Sequence, residues 1–333
     1  MKIILAPMEG VIEHHMRQAL TGIGGYDACV TEFLRVNNHL ISARAFKRLA
    51  PELDQQGQTA AGTPVILQLL GSDLEMMASN ACQAAHLGAP AIDINFGCPA
   101  KCVNRRMGGS VLLQYPERVY AIVAAVRRAV DPAIPVTAKM RLGYEDDLLA
   151  LDNALAIESA GAAELTVHAR TKVQGYTPPA RWEALAPLRE ALTIPLIANG
   201  DIRSLDDYHR CVAASGCQDV MLGRGAINNP SLARQIKQSH AGTTLTAMGW
   251  SDITALILTT STHMEQEYPE KFVVMRLKQW LAMLRHDHAD GQQVFQAICR
   301  MKVLEEIKAA LELSRKGISD WGGDNSINET ISS

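Results

Sequence analysis

Residues 91–100 read AIDINFGCPA. The aliphatic Ala91, Ile92 and Ile94 lead into Asn95 and then into Gly97-Cys98-Pro99. A short branched-aliphatic run stopped by Gly and Pro is a strand signal, and here the polar residue and the thiol gather at its C-terminal end. Three runs of the same kind lie upstream, IIL at Ile3, CVT at Cys29 and VILQL at Val65. Four lie downstream, VTAKM at Val136, ELTVH at Glu164, PLIAN at Pro195 and DVMLG at Asp219. Helix-like stretches separate them, and eight strand–helix alternations predict an α/β chain folded as a (β/α)8 TIM barrel.

Polar residues cluster where these strands end. Pro7, Met8 and Glu9 follow the first, Glu32 and Arg35 the second, and Gln68 lies in the third. Asn95 and Cys98 close the fourth, Lys139 and Arg141 the fifth, and His168 the sixth. Asn199, Gly200 and Asp201 follow the seventh, and Gly223 and Arg224 finish the eighth. The C-terminal rim of such a barrel carries the active site, so these segments predict one site assembled from the whole barrel.

The chain of 333 residues, 47% of them hydrophobic, is long enough for a barrel and a smaller domain. The barrel is expected over 1–242, an all-helical domain over 250–318 and a flexible tail over 319–333, with the Gly/Thr-rich HAGTTLTAMGW from His240 as linker. SDITALILTTSTHM reads as a helix capped by Ser251 or Asp252, and Val273, Leu277, Trp280, Leu281 and Leu284 recur at helical spacing. Lys278 and Arg285, seven apart, share another face. Net charge is −3, yet residues 271–316 hold nine Lys/Arg against five Asp/Glu, a local excess of four positive charges. Seven scattered cysteines, an odd number, do not read as a disulfide framework. No run is apolar enough to span a membrane and MKIILAPMEG enters a strand directly, so a cytoplasmic protein without a membrane partner is expected.

IANGDI after the seventh strand and LGRGAINNP after the eighth each place glycine before a presumed helix. Free backbone N–H groups there favour an anion, Arg224 adds a charge-assisted contact, and these are the usual phosphate loops of the fold; the bland reading is two tight turns. A phosphorylated cofactor with its ring over the barrel mouth would meet Pro7, Met8, Gln68, Lys139 and His168, a set that suits a flavin. Lys139 also suits a Schiff-base aldolase, or a plain ion pair at the rim.

Taken together, LAPMEG at Leu5, TEF at Thr31, VILQLLG at Val65, DINFGCP at Asp93, KMRLG at Lys139, VHARTKVQGY at Val167, IANGDI at Ile197 and MLGRGA at Met221 resemble the bacterial tRNA-dihydrouridine synthases. They follow the family's order across the barrel. The basic helical region resembles the family's tRNA-binding domain, and RLKQWL at Arg276 resembles the subfamily acting on D-loop uridine 16. The resemblance implies an FMN enzyme that reduces the C5=C6 bond of a tRNA uridine with NADPH. It places FMN at Pro7, Met8, Glu9, Gln68, Lys139, His168, Asn199, Gly200, Asp201, Gly223 and Arg224, and the proton donor at Cys98. RNA contacts fall on Arg35, Asn95, Tyr176, Arg276, Lys278 and Arg285, with one monomer sufficient and no protein partner required. The loop NRRMGGSVLL departs from the family, whose members commonly carry small residues where Arg105, Arg106 and Met107 stand.

The chemistry asks for the same residues. Hydride adding at uracil C6 leaves a carbanion-like C5 that needs a proton, and an ordinary thiol, with pKa about 8.5, holds one at neutral pH. The base must leave its stack to reach the barrel mouth. Competing readings are an FMN barrel for a free pyrimidine such as dihydroorotate, the aldolase with Lys139, and an RNA-binding protein with a vestigial flavin site. Cys98 and Cys102 have the spacing of a metal or redox pair, but no second Cys or His pair is near enough in sequence to complete a zinc site, and no metal is expected. Cys98 at the rim reads as the acid, Cys102 as a bystander in the loop.

Overall fold

The computed structural model describes residues 1–318, so the expected tail over 319–333 lies outside the described residues. Two compact units are present among the described residues: Met1–Ala226 with Ser231–Thr246, and Ile227–Pro230 with 247–318.

The first unit is a closed parallel barrel. Its strands are β1 (Ile3–Leu5), β2 (Ala28–Val30), β3 (Leu34–Arg35), β4 (Val65–Leu70), β5 (Ile92–Phe96), β6 (Val136–Gly143), β7 (Glu164–Thr171), β8 (Leu196–Asn199) and β9 (Val220–Leu222). β1 pairs with β2 and β9, and β2 with β4, so eight strands close the ring. Each of the eight sequence runs forms one of them, as a TIM barrel requires. β3 is additional: its two residues pair with Leu69 and Leu70 at the end of β4.

Strand residues alternate between the barrel interior and the surrounding helices. Ile4, Ala28, Val30, Ile66, Ile197 and Met221 form one buried cluster. Two residues further along, at the same parity, stand Gln68 on β4, Asn199 at the end of β8 and Gly223 just past β9. The interior is thus apolar below and polar at the C-terminal rim. Residues of opposite parity, such as Leu67, Ile94, Val136 and Leu165, are buried beneath the helices.

Helix ends are closed by short polar side chains. Asp73 Oδ1 accepts the Met76 N–H at 2.9 Å to start Leu74–His86. Ser204 Oγ accepts the Asp207 N–H at 3.0 Å, and the Asp207 carboxylate accepts the Ser204 N–H at 3.0 Å, a capping box for Leu205–Ser215. Arg17, on the helix His14–Ile23, is fully buried. Its Nε and Nη2 donate to both oxygens of Glu52 at 2.9 and 2.8 Å, and it also donates to the carbonyls of Ile12 and Leu49. This fork ties the helix to the short turn Pro51–Gln55.

The second unit contains the helices Trp250–Glu265, Glu270–Leu284, Ala289–Ile298 and Leu304–Arg315. Residues 243–249, within the expected linker, carry neither helix nor strand. Val273, Leu277, Trp280, Leu281 and Leu284 are all buried, as their spacing predicts. The cap differs from the sequence reading: Gly249 is the N-cap, and Asp252, at the third helical position, accepts its N–H at 3.2 Å. A carboxylate at that position does the reciprocal half of a capping box, which lets the helix start ahead of Ser251. No helix among the described residues is long and apolar enough to cross a membrane.

Candidate active site

β4 and β5 bring a connected set of polar groups to the rim. Asp93 accepts hydrogen bonds from Gln68 Nε2 at 2.7 Å and Thr137 Oγ1 at 2.6 Å. Gln68 Oε1 accepts from Asn95 Nδ2 at 2.8 Å, and Asn95 Oδ1 accepts the N–H groups of Gly97 and Cys98 at 2.9 and 2.8 Å. The Cys98 carbonyl accepts from Asn104 Nδ2 at 3.0 Å, from the Ser110 N–H at 3.1 Å and from Ser110 Oγ at 2.9 Å. Gly109, at φ +65°, makes this possible, since a Cβ there would lie 2.7 Å from the Cys98 oxygen.

The two thiols differ. Cys98 is buried and packs with Leu70 and Val103. Burial pushes its thiol pKa up; the Ala100 N–H and Arg35 act against this, while Glu9 and Cys102 reinforce it. Cys102 is exposed, and Arg35 Nη2 lies 3.9 Å from its sulfur. Arg105 and Arg106 are exposed, and Met107 occupies the left-handed region at φ +54°, which glycine adopts without strain. Iodoacetamide at pH 8 should modify the exposed Cys102 well before Cys98, which is buried and whose raised pKa withholds the reactive thiolate. The Cys98 rate should still be rising above pH 9, because its proton is held more tightly than that of an ordinary cysteine. Peptide mass spectrometry against pH checks this, and a Cys98 rate that levels off below pH 9 contradicts it.

Across the mouth, Lys139 donates to Asn199 Oδ1 at 2.9 Å. Burial, reinforced by Arg141, lowers its pKa to about 8, with Asp93 opposing. His168 pairs with Asn199 in register and with Arg141 on the other side. Burial first, and then Lys139, Arg141, Arg170 and Arg224, hold His168 neutral well below the usual imidazole range. Its Nδ1, and Nη1 of the fully buried Arg170, have no hydrogen-bond partner among the described residues. Tyr176 stands beside this group, its ring 5.1 Å from the guanidinium carbon of Arg141 and 5.1 Å from that of Arg224, edge-on to His168.

The loops after β8 and β9 meet closely. Gly200 has φ +120°, a conformation that favours glycine, and a Cβ there would sit 3.6 Å from His168 Nε2. A Cβ on Gly225 would lie 2.1 Å from the Ile202 oxygen. Asp201 pairs with Arg170, accepts the Ala180 N–H at 3.0 Å, and lies 3.6 Å from Arg224 and 3.8 Å from Arg203. On the β1 side, the Met8 carbonyl accepts the N–H groups of Val11 and Ile12, and the Met8 sulfur lies 3.8 Å from where a Gly223 Cβ would be. Pro7 is half-buried and Glu9 exposed. The four cations around His168 exceed the two carboxylates Asp93 and Asp201, so this end of the mouth suits an anion.

Arg276, Lys278 and Arg285 belong to the second unit and each has a partner within it. Arg276 donates to Gln279 Oε1 at 2.8 Å, Lys278 to the Cys299 carbonyl at 3.0 Å and to that of Met301, and Arg285 lies over the Phe295 ring. Asp93 and Arg170 are not picked out by the sequence, and Arg141 is placed by it at the end of the fifth strand without a role. Arg141 donates to the carbonyls of Gly97, Thr171 and Gly175 at 2.9, 3.0 and 2.9 Å, joining the cysteine turn to the loop that carries Tyr176. Period-two alternation could have found the other two, since Asp93 precedes Asn95 and Arg170 follows His168 at the same parity.

A parallel barrel with titratable residues converging at its C-terminal rim is an enzyme architecture, and the family that this chain matches makes it an oxidoreductase. Residues 4–316 match the family described as Dihydrouridine synthase (Dus), and the chain belongs to that family. It is 48% identical over 314 residues to the tRNA-dihydrouridine(16) synthase of Aquipseudomonas alcaligenes, covering 94% of this chain and 100% of that one. The protein of the same name from Neisseria meningitidis serogroup B is 45% identical over 311 residues, covering 93% of each. Among solved structures, a 2-naphthoyl-CoA reductase complex matches with a TM-score of 0.56 and 13% identity over 73% of this chain and 50% of that one, a likeness of fold alone.

Proposed function

We propose that this protein reduces the C5=C6 bond of uridine 16 in the D-loop of tRNA, using bound FMN and NADPH as the source of electrons. The observation that carries the reading is the buried Cys98 thiol on a turn whose backbone is held by the Gln68–Asn95 amides. The relatives' shared name supports the choice of uridine.

The residues suit FMN. Arg224 and the Gly200–Asp201 and Gly223 turns would hold its phosphate, and Pro7, Met8, Glu9, Gln68, Lys139, His168 and Asn199 its ring and ribityl chain; the cation excess around the unpartnered His168 Nδ1 supports this. When bound and reduced, FMN supplies the hydride that adds at uracil C6. Cys98 then gives the proton on its sulfur to C5, and solvent reprotonates the thiolate. A raised thiol pKa keeps that proton in place at neutral pH until the carbanion-like centre forms. Asn95 reads the amide edge of the extruded base, and Tyr176 stacks or contacts the backbone. Arg35, Arg276, Lys278 and Arg285 position the RNA, with 1–242 as the catalytic domain and 250–318 as the tRNA-binding one. The protein works as a monomer in the cytoplasm.

The test is to purify the protein, look for bound flavin absorbance, and map dihydrouridine in tRNA from cells with and without the gene. Loss at position 16 alone is expected. Unchanged dihydrouridine at every position sinks the proposal, and turnover of a free pyrimidine in its place establishes the dihydroorotate-type alternative.

A further inference from the structure

We infer that Asp93 is a positioning residue, a fixed hydrogen-bond acceptor inside the barrel that sets the orientation of two side-chain amides and, through them, the place of the Cys98 thiol. The inference rests on the reading of Cys98 as proton donor. A primary amide has nearly the same shape after a half-turn, so its orientation is chosen by its neighbours. The upper end of the chain here is decided by the backbone: Asn95 must turn its oxygen to the Gly97 and Cys98 N–H groups. Its Nδ2 is then left to donate, Gln68 must accept with Oε1, and Gln68 Nε2 needs an acceptor in turn.

Asp93 is that acceptor. An ionised carboxylate can only accept, so it matches the one polarity that the cysteine turn demands. Thr137 Oγ1 donates to the other carboxylate oxygen and fixes its plane. Gln68 is 0% and Asp93 3% exposed, which leaves no bulk water to take over if the carboxylate is lost. Burial raises the Asp93 pKa to about 6, with Thr137, Gln68 and Lys139 holding it down and Glu164 adding to the rise, so it remains mostly ionised at neutral pH. Without the acceptor, Gln68 Nε2 is stranded, Gln68 turns or swings away, and the turn carrying Cys98 loses its lower support.

Asp93→Leu removes the acceptor at similar volume, and Asp93→Asn keeps an oxygen facing Gln68. Three quantities are read on the full-length protein: kcat and KM for tRNA, and the rate of Cys98 alkylation by iodoacetamide relative to Cys102 in the same molecule. Asp93→Leu should lower kcat about 100-fold with KM within about twofold, the usual penalty for a displaced reacting group. Its Cys98/Cys102 alkylation ratio should change at least about threefold, and Asp93→Asn should bring both readouts back to within about threefold of wild type, since the acceptor geometry is kept. A wild-type ratio and kcat in Asp93→Leu overturn the inference, as does a folded Asp93→Asn protein that is as impaired as Asp93→Leu. Should Asp93→Leu not fold, Asp93→Asn decides alone: loss of both readouts with an unchanged melting temperature overturns it, and their retention supports it. Activity surviving in Cys98→Ala removes the proton-donor reading instead, while the alkylation ratio still reports what Asp93 holds.

Discussion

Replacement of Cys98 by alanine should slow dihydrouridine formation by about 10²–10⁴-fold, the range for removing a positioned general acid, with FMN content and tRNA affinity unchanged. The split follows from placement. Cys98 packs with Leu70 and Val103, and its carbonyl, not its sulfur, carries the hydrogen bonds to Asn104 and Ser110. Truncation to alanine removes the sulfur with its proton and leaves the hydrogen bonds of the turn's backbone in place. Serine in its place should recover little, because a hydroxyl surrenders its proton far less readily than a thiol. Single-turnover assays with bound tRNA, together with flavin absorbance of the purified variant, separate these effects. A Cys98→Ala enzyme within tenfold of wild type would show that another group protonates C5.

The largest loss of stability is expected away from the rim. Glu52→Ala should cost the barrel about 3–5 kcal/mol, because it strands a fully desolvated guanidinium. Arg17 is 0% and Glu52 1% exposed, and Glu52 is the carboxylate that both stabilises the guanidinium most and hydrogen-bonds to it, ahead of Glu13. The two remaining bonds, to the Ile12 and Leu49 carbonyls, are to neutral groups and cannot replace the lost charge. A double replacement, Arg17→Met with Glu52→Leu, should recover most of the loss, since apolar residues of similar volume fill the space without desolvating a charge. Denaturant titration of the wild type, the two single variants and the double variant tests this; a double variant no better than Glu52→Ala refutes it.

The barrel was legible because parallel strands are buried on both faces and therefore read as short aliphatic runs; each of the eight announced itself this way. β3 did not, since Leu34 and Arg35 are a strand only by virtue of their partners Leu69 and Leu70. The helical spacing of Val273 to Leu284 identified a buried face, but the same spacing could not show that Lys278 caps the carbonyls of Cys299 and Met301, which lie just past the end of the helix Ala289–Ile298. At the rim, sequence order brought out the residues that end each strand. It hid those that face inward among them: Asp93 sits inside an apolar run, and Arg170 is buried whole beside Asp201. Their partners lie 25 and 31 residues away along the chain, and only the closed barrel brings them together.

The contact between Gly225 and the Ile202 carbonyl bears on how such a protein can diverge. Even a methyl group at 225 would overlap the neighbouring loop, so the segments after β8 and β9 can change only in concert, each substitution waiting on its counterpart. The side chains of Arg105 and Arg106 are exposed and carry no such constraint. A lineage descending from this chain would therefore keep the paired loops after β8 and β9 as a single inherited block, while the exposed positions 105 and 106 vary freely.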